Sequence, residues 1–283
     1  MPSVSLQTLR AQYSASLKRF IASSQSLDIL SSVPRDRQPS PPDVLFVLDS
    51  SFNPPTHAHL RIASSAILEK PGLSSRLLLL LAIQNADKPA KPASFEDRLV
   101  MMESFADDLL SYLQTTPSGM SSQSLPQIDI GVTKKPYFVD KAAEIESAGV
   151  YSNSLEQVHL TGYDTLIRIF NPKYYPPTHT LQPLAPFLSK HRLRVTMRPG
   201  DEWGDKDDQQ AFLAELARGG RENEGGRPEW AERIQFVEGT KPREPSVSST
   251  RARDAVHANP ADLEWLVTQN VRGYMLSQNP YPT

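Results

Sequence analysis

The chain has 283 residues, 39% of them hydrophobic and 22% charged, enough for a sizeable core and too apolar for wholesale disorder. Lys and Arg number 30 against 32 Asp and Glu, and the resulting net charge of −2 excludes a generally basic nucleic-acid surface while leaving room for a local basic pocket. The lack of cysteine excludes disulfides, thiolate zinc sites, iron–sulfur clusters and a cysteine nucleophile, and the longest apolar run, 77–83, is far short of a bilayer span.

Residues 1–27 carry Arg10, Lys18 and Arg19, many serines and no acid, the composition of a transit peptide. Leu6, Leu9, Tyr13, Leu17, Phe20 and Ile21 nevertheless recur at helical spacing. The segment is therefore read as a packed N-terminal helix of a protein of the cytoplasm or nucleus, with mitochondrial import as the alternative. Residues 31–43 form a proline-rich connector, so 1–40 comprises helix and connector and 41–283 the main domain. Strand-length apolar runs follow at 44–48, 76–83, 127–132, 157–161, 193–197 and 233–237. Helical periodicity marks 58–68, 95–113 and 139–147, and two short helices close the chain over 260–275. Alternation of continuous apolar strands with helices predicts a parallel sheet covered on both faces. Residues 174–179 read as a proline-broken loop. Residues 200–230 hold one short helix candidate in a hydrophilic, glycine-rich stretch and read as a mobile surface insertion.

Chemistry concentrates in two segments. LDSSFNPPTHAHLRIA, 48–63, ends the first main-domain strand and opens a helix, the place where open α/β sheets bind ligands. Thr56 and His59, three apart at a helix start, share one face beside N–H groups that favour anions. Thr56 also suits a bare N-cap, and His57 with His59 could pair on a metal, although no third ligand is apparent. VSSTRARDAV, 247–256, places Ser248, Ser249 and Thr250 at another helix start, with Arg251 and Arg253 suited to bidentate phosphate contacts. Alone, this second segment also fits a capped surface helix with solvated arginines.

Together, Thr56-His57-Ala58-His59 and Val247-Ser248-Ser249-Thr250-Arg251-Ala252-Arg253 resemble the paired signatures of the nucleotidylyltransferase superfamily, (H/T)xGH and ISSTxxR. Within it, Ser51-Phe52-Asn53-Pro54-Pro55-Thr56 looks like the nicotinamide mononucleotide adenylyltransferases. Thr161-Gly162-Tyr163-Asp164 resembles their G-x-D motif, and Val271-Arg272-Gly273-Tyr274 their closing helix. The DSSFNPPT form is most similar to a divergent fungal branch, and the likeness covers roughly residues 40–283. Two departures stand out: Asp49-Ser50-Ser51 occupies the stretch where the family usually has a glycine, and Ala58 replaces the glycine of HxGH.

The resemblance implies an α/β fold, a Rossmann-like doubly wound parallel sheet with an N-terminal helix and C-terminal helices. It implies adenylyl transfer from ATP to nicotinamide or nicotinate mononucleotide, giving NAD or deamido-NAD and pyrophosphate. His59 and Arg253 would be the catalytic residues. Ser51, Phe52, Thr56, His59, Ser248, Ser249, Thr250 and Arg253 would bind ATP and its phosphates. Gly162, Asp164 and Tyr175 would bind nucleotide, Asp164 at a ribose and Tyr175 against the pyridine ring. Mg2+ would accompany ATP with mostly water ligands, without a protein metal cage. The expected partners are these nucleotides, with no nucleic acid and no membrane, and a homo-oligomer is left open. The rival readings are a pantetheine-phosphate or cytidylyl nucleotidylyltransferase and a nucleotide-binding ATPase or regulatory protein. Lys88, Lys91 and Arg98 lie in a polar stretch that either attracts the anionic substrates or is a solvated loop.

Overall fold

The structure is a computed structural model and describes residues 5–35, 41–84, 92–117, 119–122, 124–198, 200, 203–239 and 245–282. Lys88 and Lys91 lie outside the described residues. Among the described residues one sheet contains β1 (Leu27–Val33), β2 (Val44–Asp49), β3 (Ser75–Ala82), β4 (Gln127–Thr133), β5 (Glu156–Gly162), β6 (Arg192–Thr196) and β7 (Ile234–Val237). Their order is β1-β4-β3-β2-β5-β6-β7. All neighbours are parallel except β1, which runs antiparallel to β4 with a register shift between Ile29 and Ser31.

The helices are α1 (Leu6–Ala22), α2 (His57–Glu69), α3 (Phe95–Thr115), α4 (Phe138–Ser147), α5 (Tyr163–Ile169), α6 (Ala185–Lys190), α7 (Lys206–Ala217), α8 (Ser249–Ala258), α9 (Leu263–Leu266) and α10 (Gln269–Gln278). Their distribution explains the unbroken apolar runs. Along β2, Phe46 and Leu48 enter the cluster made with α1, α2, α3, α8, α9 and α10. Leu45 and Val47, pointing the other way, join Leu78, Leu80, Ile145 and Tyr151. A strand covered on both faces has no solvent side on which to place polar residues. A further cluster joins Leu193 and Val195 of β6 to α5, α6 and α7. The chain leaves β2 toward β3 and β4 on one side and β5 to β7 on the other. The carboxyl ends of β2 and β5 thus bound a topological switch point, the crevice such sheets use for ligands.

Three expectations change. The connector expected from residue 31 begins later, because Ser31, Ser32 and Val33 belong to β1. Ahead of it, α1 docks on α3 through Leu9, Tyr13, Leu17 and Phe20, with Arg10 Nε donating to Asp97 Oδ1 at 2.6 Å and the Tyr13 hydroxyl donating to Glu103. Ile21, expected on the apolar stripe, is 55% exposed. The stretch 200–230, expected as a mobile insertion, instead carries α7 and buries Phe212, Leu216 and Trp230 in the core cluster of β6. Its glycines turn rather than loosen the chain: Gly225 sits at a φ of +85°, and Glu224 beside it accepts the Leu181 N–H at 2.7 Å.

Candidate functional site

A cleft of about 480 Å3 opens at the carboxyl ends of β2, β3 and β5. After β2 the chain turns through Phe52, which holds a φ of +44°, a left-handed conformation that a bulky residue rarely adopts. The turn sends the Phe52 ring into the core, where it is fully buried, 5.4 Å from the His59 ring. It leaves Ser50, Ser51 and Asn53 on the cleft wall. The Phe52 ring shapes the loop from the core side.

Thr56 is the N-cap of α2 and is fully buried. Its backbone N–H donates to His59 Nδ1 at 3.0 Å, and its hydroxyl lies 2.9 Å from the same nitrogen. Thr56 thus serves as an N-cap, with its hydroxyl turned to His59. Because Nδ1 accepts, the neutral ring carries its proton on Nε2, which donates to Ser50 Oγ at 3.0 Å. Burial pushes the His59 pKa down to about 4. The ring is uncharged at neutral pH. Among the described lining residues the cleft shows Ser50, with His59 one layer behind it. His57 points elsewhere, into a shallow apolar groove with Trp265 and Tyr112, so the two histidines do not converge on one metal.

On the facing wall, Ser248 caps α8 by accepting the Arg251 N–H at 3.2 Å, which occupies one lone pair of its hydroxyl and leaves the hydrogen to donate. Ser249, Thr250 and Arg253 line the cleft as expected. Ser249 Oγ donates to the Pro54 carbonyl at 2.8 Å. Arg253 Nη1 donates to the Asn53 carbonyl at 2.7 Å, and its Nη2 donates to Thr250 Oγ1 at 3.1 Å. The two segments singled out in the sequence are therefore stitched directly to each other. Arg251 turns away and stacks over Trp265, its charge 4.9 Å from the ring centre.

Arg98 adds a second guanidinium. It is 5% exposed and lines the cleft; Nε donates to the Ala93 carbonyl at 3.1 Å, and Nη2 is buried without a hydrogen-bond partner among the described residues. Desolvation first, and the nearby charge of Arg253 after it, lower its pKa. Two arginines lining one cleft, one of them with an unsatisfied donor, favour an anion there.

The other end of the cleft belongs to β5 and α4. Gly162 ends β5; a Cβ there would meet Asp164 Oδ1 at 2.7 Å, so only glycine lets that carboxylate fold back over the start of α5. Asp164 lines the cleft. Tyr175 contributes one wall, but it is buried and its hydroxyl donates to the Ile169 carbonyl at 2.5 Å, which fixes the ring in the core cluster around α5.

Sequence reasoning missed Lys141 and Asp49. Lys141 Nζ lies 2.6 Å from Asp49 Oδ2, joining α4 to the end of β2, and both side chains line the cleft. A lysine inside the apolar face of 138–147 was the available signal, since Ala142 and Ile145 beside it are buried.

No protein-family model matches the chain. A curated Schizosaccharomyces pombe (strain 972 / ATCC 24843) protein named "Putative nicotinamide mononucleotide adenylyltransferase" is 35% identical over 241 residues, covering 84% of this chain and 86% of that one. Among solved structures, Plasmodium falciparum nicotinic acid mononucleotide adenylyltransferase complexed with NaAD is similar at a TM-score of 0.50 and 12% identity, over 84% of this chain and 97% of that one. The same enzyme complexed with APC has a TM-score of 0.47 over the same shares at 12% identity. At that identity the first structure speaks for the fold alone. The sequence relative, matched across most of both chains, decides the family: the chain belongs to the nicotinamide mononucleotide adenylyltransferases.

Proposed function

We propose that the chain transfers the adenylyl group of ATP to the 5′-phosphate of nicotinamide or nicotinate mononucleotide, releasing pyrophosphate. The observation that carries this is the stitch between the segments. Arg253 and Ser249 hold the start of α8 against the loop after β2, so hydroxyls, helix N–H groups and two guanidiniums face one cleft.

The acceptor phosphate is itself the nucleophile, attacking the α-phosphorus in line, so positioning and charge stabilisation are what the protein must supply. Ser51 and the N–H groups at the start of α8 hold phosphate oxygens. Arg98 and Arg253 meet the charge that grows on the leaving pyrophosphate. Asp164, at the start of α5, accepts from a ribose hydroxyl. Magnesium enters with ATP as part of the substrate. Phosphate oxygens and water would be most of its ligands, and Asp49 at the end of β2 is engaged by Lys141.

Incubating the purified chain with ATP, magnesium and each mononucleotide tests the reading. Dinucleotide and pyrophosphate are expected in equal amounts. ATP consumed without dinucleotide would show a nucleotide hydrolase instead, and activity confined to pantetheine phosphate or cytidine nucleotides would assign another acceptor.

A further inference from the structure

The two ends of the cleft differ in character. At one end Arg98, Ser249, Thr250 and Arg253 offer hydroxyls and guanidiniums to phosphates. At the other, Tyr137 and Phe138 at the start of α4 and Tyr174 and Tyr175 after α5 line the wall with aromatic rings. The pyridine ring of either mononucleotide is a cation, and cations are drawn to aromatic faces. The aromatic end is therefore where that ring belongs.

Charge along this cleft is unbalanced. Among the described residues its lining carries four cations against two carboxylates, Arg98, Lys141, Arg168 and Arg253 against Asp49 and Asp164. Lys141 is matched by Asp49 at 2.6 Å. Asp164 stands one helical turn before Arg168 but does not pair with it, because its carboxylate folds back toward Gly162, where a Cβ would meet Oδ1 at 2.7 Å. Arg168 is exposed on the wall it shares with Tyr174 and Tyr175, and its guanidinium makes no hydrogen bond or ion pair among the described residues.

We propose that Arg168 makes the chain select the acidic mononucleotide over the amidated one, by pairing with the carboxylate on the pyridine ring. The inference rests on the adenylyltransferase reading and names the acceptor that this site prefers. The two acceptors differ only in the ring substituent. The carboxylate is ionised at neutral pH and takes two hydrogen bonds from the guanidinium fork. The amide is neutral, so its carbonyl accepts a weaker bond and nothing offsets the repulsion between Arg168 and the cationic ring. Arg168 sets specificity and takes no part in the phosphate chemistry.

Initial rates of the full chain with each mononucleotide test it. Wild type should favour nicotinate mononucleotide in kcat/KM by about 5- to 10-fold, between the worth of an exposed ion pair and that of a charge-assisted hydrogen bond. Arg168→Gln keeps a hydrogen-bond donor without the charge and should bring the ratio close to one, chiefly by raising KM for the acid. Arg168→Lys keeps the charge without the fork and should give an intermediate ratio. Arg168→Glu should invert the preference. A wild type that favours the amide or neither acceptor overturns the proposal, as does an Arg168→Gln chain with the wild-type ratio. A second measurement uses only the wild-type chain: the ratio should fall toward one as KCl rises from about 50 to about 500 mM, because salt screens the charge pair. A ratio indifferent to salt overturns the proposal. A wild type that joins neither mononucleotide overturns the function itself, and that outcome is read before any ratio is taken.

Discussion

Arg253 Nη1 donates to the backbone carbonyl of Asn53 at 2.7 Å, closing a contact between residues 200 positions apart. The same guanidinium reaches Thr250 Oγ1 on its own helix and faces the cleft. It therefore has two tasks, holding the walls together and offering charge to a substrate.

Arg253→Ala should accordingly show two losses. Removing the fork leaves the Asn53 carbonyl without that donor, at a stability cost of about 1–3 kcal/mol. Loss of a charged hydrogen bond in the transition state should lower kcat by roughly 10- to 150-fold, in synthesis and in pyrophosphate-driven cleavage alike. Arg253→Lys keeps the charge without the fork and should recover part of the rate but little of the stability. Denaturant titration and initial rates in both directions check this. Normal rates with alanine at 253 would reduce the second segment to a helix cap.

Stability should fall on the acid side from about pH 6.5 downward. His57, His59, His159 and His191 all have pKa values lowered chiefly by burial, His159 to about 3 and His59 to about 4. A histidine with a depressed folded pKa binds fewer protons folded than unfolded. Its contribution is complete above the unfolded value of about 6.5 and is lost as pH falls toward the folded one. Asp107, raised to about 6 mainly by desolvation, works the opposite way and offsets part of the loss. Urea titrations at pH 7.5, 6.0 and 5.0 should show decreasing stability. A flat profile would mean that the four rings are solvated.

Deleting residues 222–226 should destabilise the molecule. Glu224 accepts the Leu181 N–H, and next to the deletion Arg221 donates to the Phe170 carbonyl at 2.7 Å. Both contacts anchor the cluster containing Phe170, Phe212 and Trp230. Calorimetry should show a lower Tm for the deletion variant. An unchanged Tm would restore the picture of a loose surface insertion.

Tyr13→Phe tests the docking of α1. It removes the hydroxyl that meets Glu103 and Ser31, leaving Glu103 with Arg35 and Ser31, and should cost about 1–3 kcal/mol. Removing residues 1–22 altogether should expose the α3 face and cause aggregation. A truncated chain with wild-type Tm would show that α1 is dispensable.

How far the sequence could be read depended on where burial comes from. β2 and β3 were legible because each is covered on both faces and carries an unbroken apolar run. β1 was not, because an edge strand with Asp28, Ser31 and Ser32 is only half-buried and has no such run. Phe212 and Leu216 lie one helical turn apart on α7, but a hydrophilic, glycine-rich stretch separates them from Trp230, so their joint burial is tertiary. Ser249, Thr250, Arg253 and Asp164, expected to bind nucleotide, line the cleft. Spacing cannot show that Thr56 and Ser248 cap their helices or that a positive φ turns the Phe52 ring inward. The Lys141–Asp49 pair spans 92 positions, a separation at which local pattern carries no information.

The central claim is that this cleft joins ATP directly to a mononucleotide phosphate, with no adenylyl-enzyme between them. Exchange of labelled pyrophosphate into ATP tests it most directly. With purified chain, magnesium and ATP alone there should be no exchange, and adding the mononucleotide should start it, because only the dinucleotide product can be cleaved back by pyrophosphate. Exchange in the absence of any mononucleotide, or none in its presence, would contradict the account.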